Sequence, residues 1–443
     1  MSDTSPPSPS AASRAPLPEG TIPVGIGLFF AGFAAYAFFK VGQLALGKDD
    51  FKPIVTLWFM TFALVPGFLL PIEQEIGRAL AHRRELGLGG RPVVRRVLPL
   101  AAGLSLLLIV AMLVAAPAVT DHMFDGHAAV TVALVSSVVA FGVMHVARGI
   151  TSGSGRFPAY GTVLGVDGFV RIAACTALWL AGSHSIAAYA FAVTLSPLVA
   201  VAVVGVRGQL RTEDGPGATF AEIAPNLVWL LIGSVMAALL VNAGPIGVDI
   251  LAGADEAAKV TAFGNGVLLA RVPLFLFQAI QASLLPRLAR LAAKGDLTEF
   301  RSGLFLLLKV VGGVAVLGTV GAALLGPWAL GIMYDGGLDR RTLTLLALSS
   351  GLYMLAVAVA QAVIALHGHR WVAIGWVAGV ASFLAVTAWS SNDLFMRVEL
   401  GLVSGSAAAL AVFMIGLRER FASGDVPDAD SMMDGIADTT LDL

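Results

Sequence analysis

Ten uncharged, mostly apolar runs punctuate the chain, at 21–39, 53–72, 97–120, 126–147, 172–206, 223–248, 310–334, 342–366, 371–392 and 400–417. A helix needs about 20 apolar residues to cross a bilayer, and nine of the runs predict one such helix each. The run at 172–206 is too long for one and too short for two with a turn. The polar group at 181–185, "AGSHS", predicts the turn. The first helix of that pair must then begin near Pro158, which places Asp167 and Arg171 inside it. The stretch 261–284 must also span, although it contains Arg271. The expectation is an all-α polytopic membrane protein of about 12 helices.

The basic residues test the count. If the chain alternates sides, 19 of the 28 Lys and Arg fall on one face of the membrane, 6 on the other, and Lys40, Arg171 and Arg271 lie within spans. The basic excess marks the cytoplasmic side, so both termini are expected to be cytoplasmic and the protein to sit in the plasma membrane. Composition agrees: 57% of residues are hydrophobic and 13% charged, against about 25% charged in soluble domains. The single cysteine, Cys175, cannot form an internal disulfide or a cysteine metal cluster. No HExxH, P-loop or dinucleotide fingerprint occurs, and every loop is short. These features point away from an enzyme, a cofactor, a metal site and nucleic acid as a partner. Residues 1–20 read as a Pro/Ser-rich tail and 421–443 as an acidic tail carrying six aspartates.

One gesture occurs twice. In "PGFLLPIEQEIGRALAHRRELGLGG" (66–90) and "PLFLFQAIQASLLPRLARLAAKGDL" (273–297), a proline-containing span runs into a basic amphipathic helix and a glycine break. At an offset of 207 residues Pro66 falls on Pro273 and Gln74 on Gln281. Six helices separate the two copies, so both halves enter from the same side. The arrangement is a parallel duplication, with lobes at 21–210 (helices 1–6) and 211–420 (helices 7–12). Two-lobed alternating-access carriers are built this way. In the second copy Arg287, Arg290 and Lys294 share one helical face. With Arg78 of the first copy they form a basic cytoplasmic rim, which either anchors the chain among lipid phosphates or attracts an anionic substrate.

The stretches "LWFMTFALVPGFLLPIEQEIGRALAHRR" and "ARVPLFLFQAIQASLLPRLARLAAKGDLTEFR" resemble the polysaccharide-export branch of the multidrug/oligosaccharidyl-lipid/polysaccharide flippase superfamily, which includes the Wzx-like and MurJ-like flippases. The resemblance covers most of 21–420. It implies a V-shaped pair of helical bundles around a cationic cavity. The implied activity is translocation of a polyprenyl-diphosphate-linked oligosaccharide for cell-surface polysaccharide synthesis. The implied partners are membrane lipids, an anionic lipid-linked glycan, and glycosyltransferases or a polymerase of the same pathway. Twelve helices depart from the 14 of the lipid II flippase.

Charges within spans are costly and therefore informative. Arg271 has no acidic residue one turn away on its own helix, so its partner must be another helix, water or substrate. Asp167 and Arg171 are four apart and share a face, as a structural pair or a substrate contact. Lys40 either reaches the outer interface or faces the cavity. Gln74 and Gln281, the symmetric pair, could bond across the lobes, bind sugar hydroxyls or simply cap and pack. These six are the candidate cavity residues. The competing functions are a cation-coupled small-molecule exporter of the same fold, for which Asp167 is the clear acidic residue in a span, and a non-transporting membrane scaffold.

Overall fold

The computed structural model describes residues 21–219, 227–253, 255–274, 277 and 297–423. Among them lie twelve helices: α1 (Thr21–Asp50), α2 (Lys52–Glu85), α3 (Arg91–Met123), α4 (Ala128–Gly153), α5 (Phe157–Leu180), α6 (Ile186–Val206), α7 (Leu227–Leu251), α8 (Ala257–Ala270), α9 (Leu297–Tyr334), α10 (Arg340–Ala365), α11 (His369–Trp389) and α12 (Leu394–Ser423). Eleven of them are long and apolar enough to cross a membrane. The eleventh-hour exception is α8, whose described part has 14 residues. Even α6, with 21 residues, rises about 31 Å at 1.5 Å per residue, the thickness of a hydrocarbon core. Apolar side chains on the outer faces, such as Phe29 and Val114, stand exposed as a lipid-facing surface requires.

The predicted turn at 181–185 divides α5 from α6, and Ser185 caps α6 by accepting from the Ala188 amide. Helix α9 is longer than its apolar run. It begins at Leu297, 13 residues before Val310, and Arg301 there covers the Phe421 ring at 4.4 Å. The helices form two lobes, α1–α6 and α7–α12. In the first, α1 packs on α5, and α4 and α5 pack on α6. In the second, α7 packs on α11, and α10 and α11 pack on α12. The pairing repeats at a shift of six helices, which is the pseudo-symmetry the duplicated sequence implied.

Small residues let these helices approach to near backbone contact. A Cβ on Gly27 would lie 2.7 Å from the Gly161 carbonyl oxygen across the α1–α5 seam, and one on Gly379 would lie 2.9 Å from that of Gly405 across the α11–α12 seam. Close packing of this kind replaces the hydrophobic drive that lipid removes. The described part of the segment linking the lobes, 207–219, lies along the first lobe. Arg83 donates to the Pro216 and Gly217 carbonyls, Arg156 to those of Gln209 and Arg211, and Arg96 to that of Ala218.

Candidate functional site

Between the lobes the structure has a polar clasp at one end and an apolar cleft beyond it. The clasp forms because α1, the start of α2, and α7–α9 bring their polar residues to one level. Gln43 and Asn265 exchange amide hydrogen bonds of 2.7 and 3.0 Å, which closes a two-way pair between α1 and α8. The Tyr36 hydroxyl donates to the Leu268 carbonyl at 2.7 Å, and the Tyr334 hydroxyl donates to the Tyr36 carbonyl at 3.1 Å. Thr261 donates to the Lys48 carbonyl at 2.8 Å. Nearest the end of the bundle, Lys52 of α2 reaches Asp249 of α7 at 3.0 Å and Asp125 at 2.7 Å, and Thr56 donates to Asp249 at 3.1 Å. Lys52 and Asp249 are both buried. A buried charge left alone costs about 3–5 kcal/mol, so this pair fastens the lobes only while both partners meet.

The cleft is lined by α2, α7, α10 and α11 and encloses about 210 Å³. Its wall is aromatic and aliphatic, with Phe62, Trp229, Tyr353 and Trp376 as the large rings. Tyr353 and Trp376 face each other at 5.2 Å. Its polar groups are Gln74, Ser234, Gln361 and His369, and no Lys or Arg is among the lining residues described.

Five of the six cavity candidates are thereby placed. Gln74 lines the cleft. Lys40 lies at the clasp, 3.7 Å from Asp335. Arg171 and Asp167 form a buried pair on α5 inside the first lobe. Ser196 of α6 donates to the same Asp167 at 2.6 Å, and the Arg171 guanidinium stands 4.9 Å over the Trp58 ring. Arg271 ends α8, where its amide closes the last turn onto Val267 and Leu268. Its guanidinium turns back to α7, onto the Val241 carbonyl and the Asn242 side chain, and lies 5.3 Å from the Phe59 ring. It also borders a small second-lobe pocket with Ser349, Ser350 and Ser406, next to the cleft and sharing Val241 and Tyr353 with it. Gln281, Arg287, Arg290 and Lys294 lie outside the described residues. Arg78 bonds Glu75 on its own helix through Nε at 3.0 Å and Nη2 at 2.8 Å.

Sequence reasoning took Asp167 for the clear acidic residue in a span. Among the described residues the structure adds four more buried carboxylates within helices: Glu73, Glu75, Asp249 and Glu399. Each stands one to three residues outside an uncharged run, so a reading based on such runs does not place it within a span. Glu73 is held by His145 at 2.7 Å and Arg148 at 3.0 Å from α4, and by Tyr160 at 3.2 Å from α5. The signal available was Arg148 and His145 three apart, on one face of a helix.

Solved structures of similar shape now bear on the site. The chain aligns with a MATE structure in complex with MaD3S at a TM-score of 0.69 and 15% identity, covering 91% of this chain and 95% of that one. A multidrug resistance MATE family transporter of the MOP superfamily, in an inward-facing conformation, aligns at 0.65 and 14% over 93% and 96%. The chain has the MATE fold. A MATE transporter of Vibrio cholerae aligns at 0.66 and 15% over 91% and 96%. In sequence the chain is 26% identical to an uncharacterized protein of Mycobacterium tuberculosis strain H37Rv, over 93% of this chain and 95% of the relative, and to a Mycobacterium bovis protein to the same extent. A second uncharacterized Mycobacterium tuberculosis protein is 28% identical over 61% of the chain. No family model matches.

Proposed function

We propose that the protein is a secondary carrier that exports small amphipathic molecules, organic cations foremost, by alternating access between its two lobes. The carrying observation is the cleft. Among the described residues four aromatic rings line it and no Lys or Arg does, so an apolar or cationic guest is accommodated where a diphosphate would meet no counter-charge from them. Aromatic faces attract organic cations by about 0.5–2 kcal/mol each. The similar structures support this reading, since those of the multidrug resistance transporter are described in both inward- and outward-facing conformations. With the basic excess taken as cytoplasmic, the clasp is the outer gate, shut here, and substrate reaches the cleft from the cytoplasm; both termini then lie inside.

A second reading, translocation of a polyprenyl-diphosphate-linked oligosaccharide, is favoured by one observation. Arg271 borders a pocket beside the cleft, and a guanidinium fork suits a diphosphate. The two readings separate in proteoliposomes. Under the exporter reading, purified protein moves ethidium across the membrane when an ion gradient is imposed, and leaves a fluorescent polyprenyl-diphosphate oligosaccharide in its leaflet. Movement of the labelled lipid without ethidium transport would establish the second reading.

A further inference from the structure

Inside the first lobe, away from cleft and clasp, α2, α4 and α5 meet around one carboxylate. Glu73 and His145 are essentially without exposure, and Arg148 and Tyr160 are also buried. Glu73 Oε2 takes the His145 Nδ1 bond at 2.7 Å. Its Oε1 takes Arg148 at 3.0 Å and the Tyr160 hydroxyl at 3.2 Å. Arg148 also donates to the Tyr160 hydroxyl at 2.6 Å and covers its ring at 5.0 Å. The donors occupy both carboxylate oxygens, so the group left to change is the imidazole. With Nδ1 on the carboxylate, the other ring nitrogen, Nε2, is buried and has no hydrogen-bond partner. Among the described residues, the charged and titratable groups that the structure brings to His145 are Glu73 of α2, Arg148 of its own helix and Tyr160 of α5.

When His145 is neutral, one carboxylate balances one guanidinium. A proton on Nε2 adds a positive charge with no acceptor facing it, and a buried charge of that kind is costly. The seam has no slack to relieve it. A Cβ on Gly149 of α4 would lie 2.7 Å from the Glu73 carbonyl oxygen, so α2 and α4 are in near backbone contact there. Water can reach the new donor only if this seam opens, and α2 is the one of the three helices that also carries cleft and clasp residues. The next residue on α2, Gln74, lines the cleft, and the same helix carries Lys52 of the clasp.

We propose that His145, held on Glu73, is a proton-binding site whose occupancy is linked to movement of α2, so that the ion coupled to transport is a proton. The proposal rests on the carrier reading. Lower pH then favours the conformation in which the α2–α4–α5 seam is hydrated, and higher pH favours the sealed one seen here.

The test needs no substrate. Spin labels are placed at D121C and D255C, exposed positions on the two lobes, in full-length protein carrying C175A and reconstituted in lipid. Interlobe distances are measured by double electron–electron resonance from pH 5.5 to 8.5. The parent is expected to redistribute between two distances as pH falls. H145Q, which retains a donor for Glu73, is expected to show no redistribution. E73Q, which retains hydrogen bonding without the charge, is expected to move the midpoint to acid by about one pH unit or more, tenfold in proton affinity. The other histidines are common to all variants, so H145Q titrating like the parent would overturn the proposal. Two distances that ignore pH would overturn the proton site and leave the carrier standing. A single distance under every condition would overturn both.

Discussion

Asp339 shows how much one side chain does at the mouth of a helix. It caps α10 by accepting from the Thr342 amide at 3.0 Å. Partial burial pushes its carboxyl up, yet the Thr342 hydrogen bonds and nearby Arg341 prevail and hold it below the ordinary carboxylate range. A carboxyl depressed on folding stabilises the fold above its unfolded value and loses that contribution as pH falls through the folded one. D339A is therefore expected to cost about 1 kcal/mol near pH 7, a gap that narrows below about pH 4; thermal unfolding of both proteins across pH checks it. At the cleft, W376A removes one of the four rings and should raise the apparent KM for ethidium by roughly 3–10-fold, the range of a single cation–π contact, with a smaller change in maximal rate. At this scale the sequence was partly legible. Asp167 and Arg171 stand one helical turn apart, so their proximity follows from spacing alone. The contacts of Lys52 with Asp249, and of Glu73 with His145, join residues 197 and 72 positions apart, and no local pattern encodes a meeting between different helices.

Among the elements, length and turn position were the legible features, because an apolar run must match the bilayer and a polar interruption must leave it. The split of 172–206 at "AGSHS" is the clearest case. A span was expected over 261–284; α8 closes its last turn at Ala270, helix resumes at 272–274, and most of the stretch beyond lies outside the described residues. The return of the Arg271 side chain to α7 was not foreseen. That return depends on an Asn242 acceptor supplied by a neighbouring helix. Seams between helices depend in turn on small residues at matching heights. Gly379 and Gly405 face each other so closely that a Cβ on either would lie under 3 Å from the other's carbonyl oxygen. G405V forces α11 and α12 apart and is expected to destabilise the second lobe by about 1–3 kcal/mol, seen as a lower midpoint in thermal unfolding in detergent, while G103V, on α3 where a Cβ meets nothing within 4 Å, leaves the midpoint unchanged.

The whole molecule is a two-lobed helical fold fastened at one end. The duplicated gesture at 66–90 and 273–297 made two lobes legible, but the conformation was not, since sequence repeats say nothing of which end is closed. The clasp supplies that, and it can be loosened. In D249N, Lys52 loses one of its two partners, and the lobes should part more often. A cysteine placed at Gln43 should then react faster with a membrane-impermeant maleimide than it does with Asp249 intact.

The most direct measurement of alternating access joins Gln43→Cys and Asn265→Cys, in place of the reciprocal amide pair, with a short reducible bifunctional thiol reagent, and follows ethidium transport in proteoliposomes. The account predicts that the linked protein carries nothing and that reductant restores transport to the level of the unlinked protein. Transport at an undiminished rate with the link intact would contradict it.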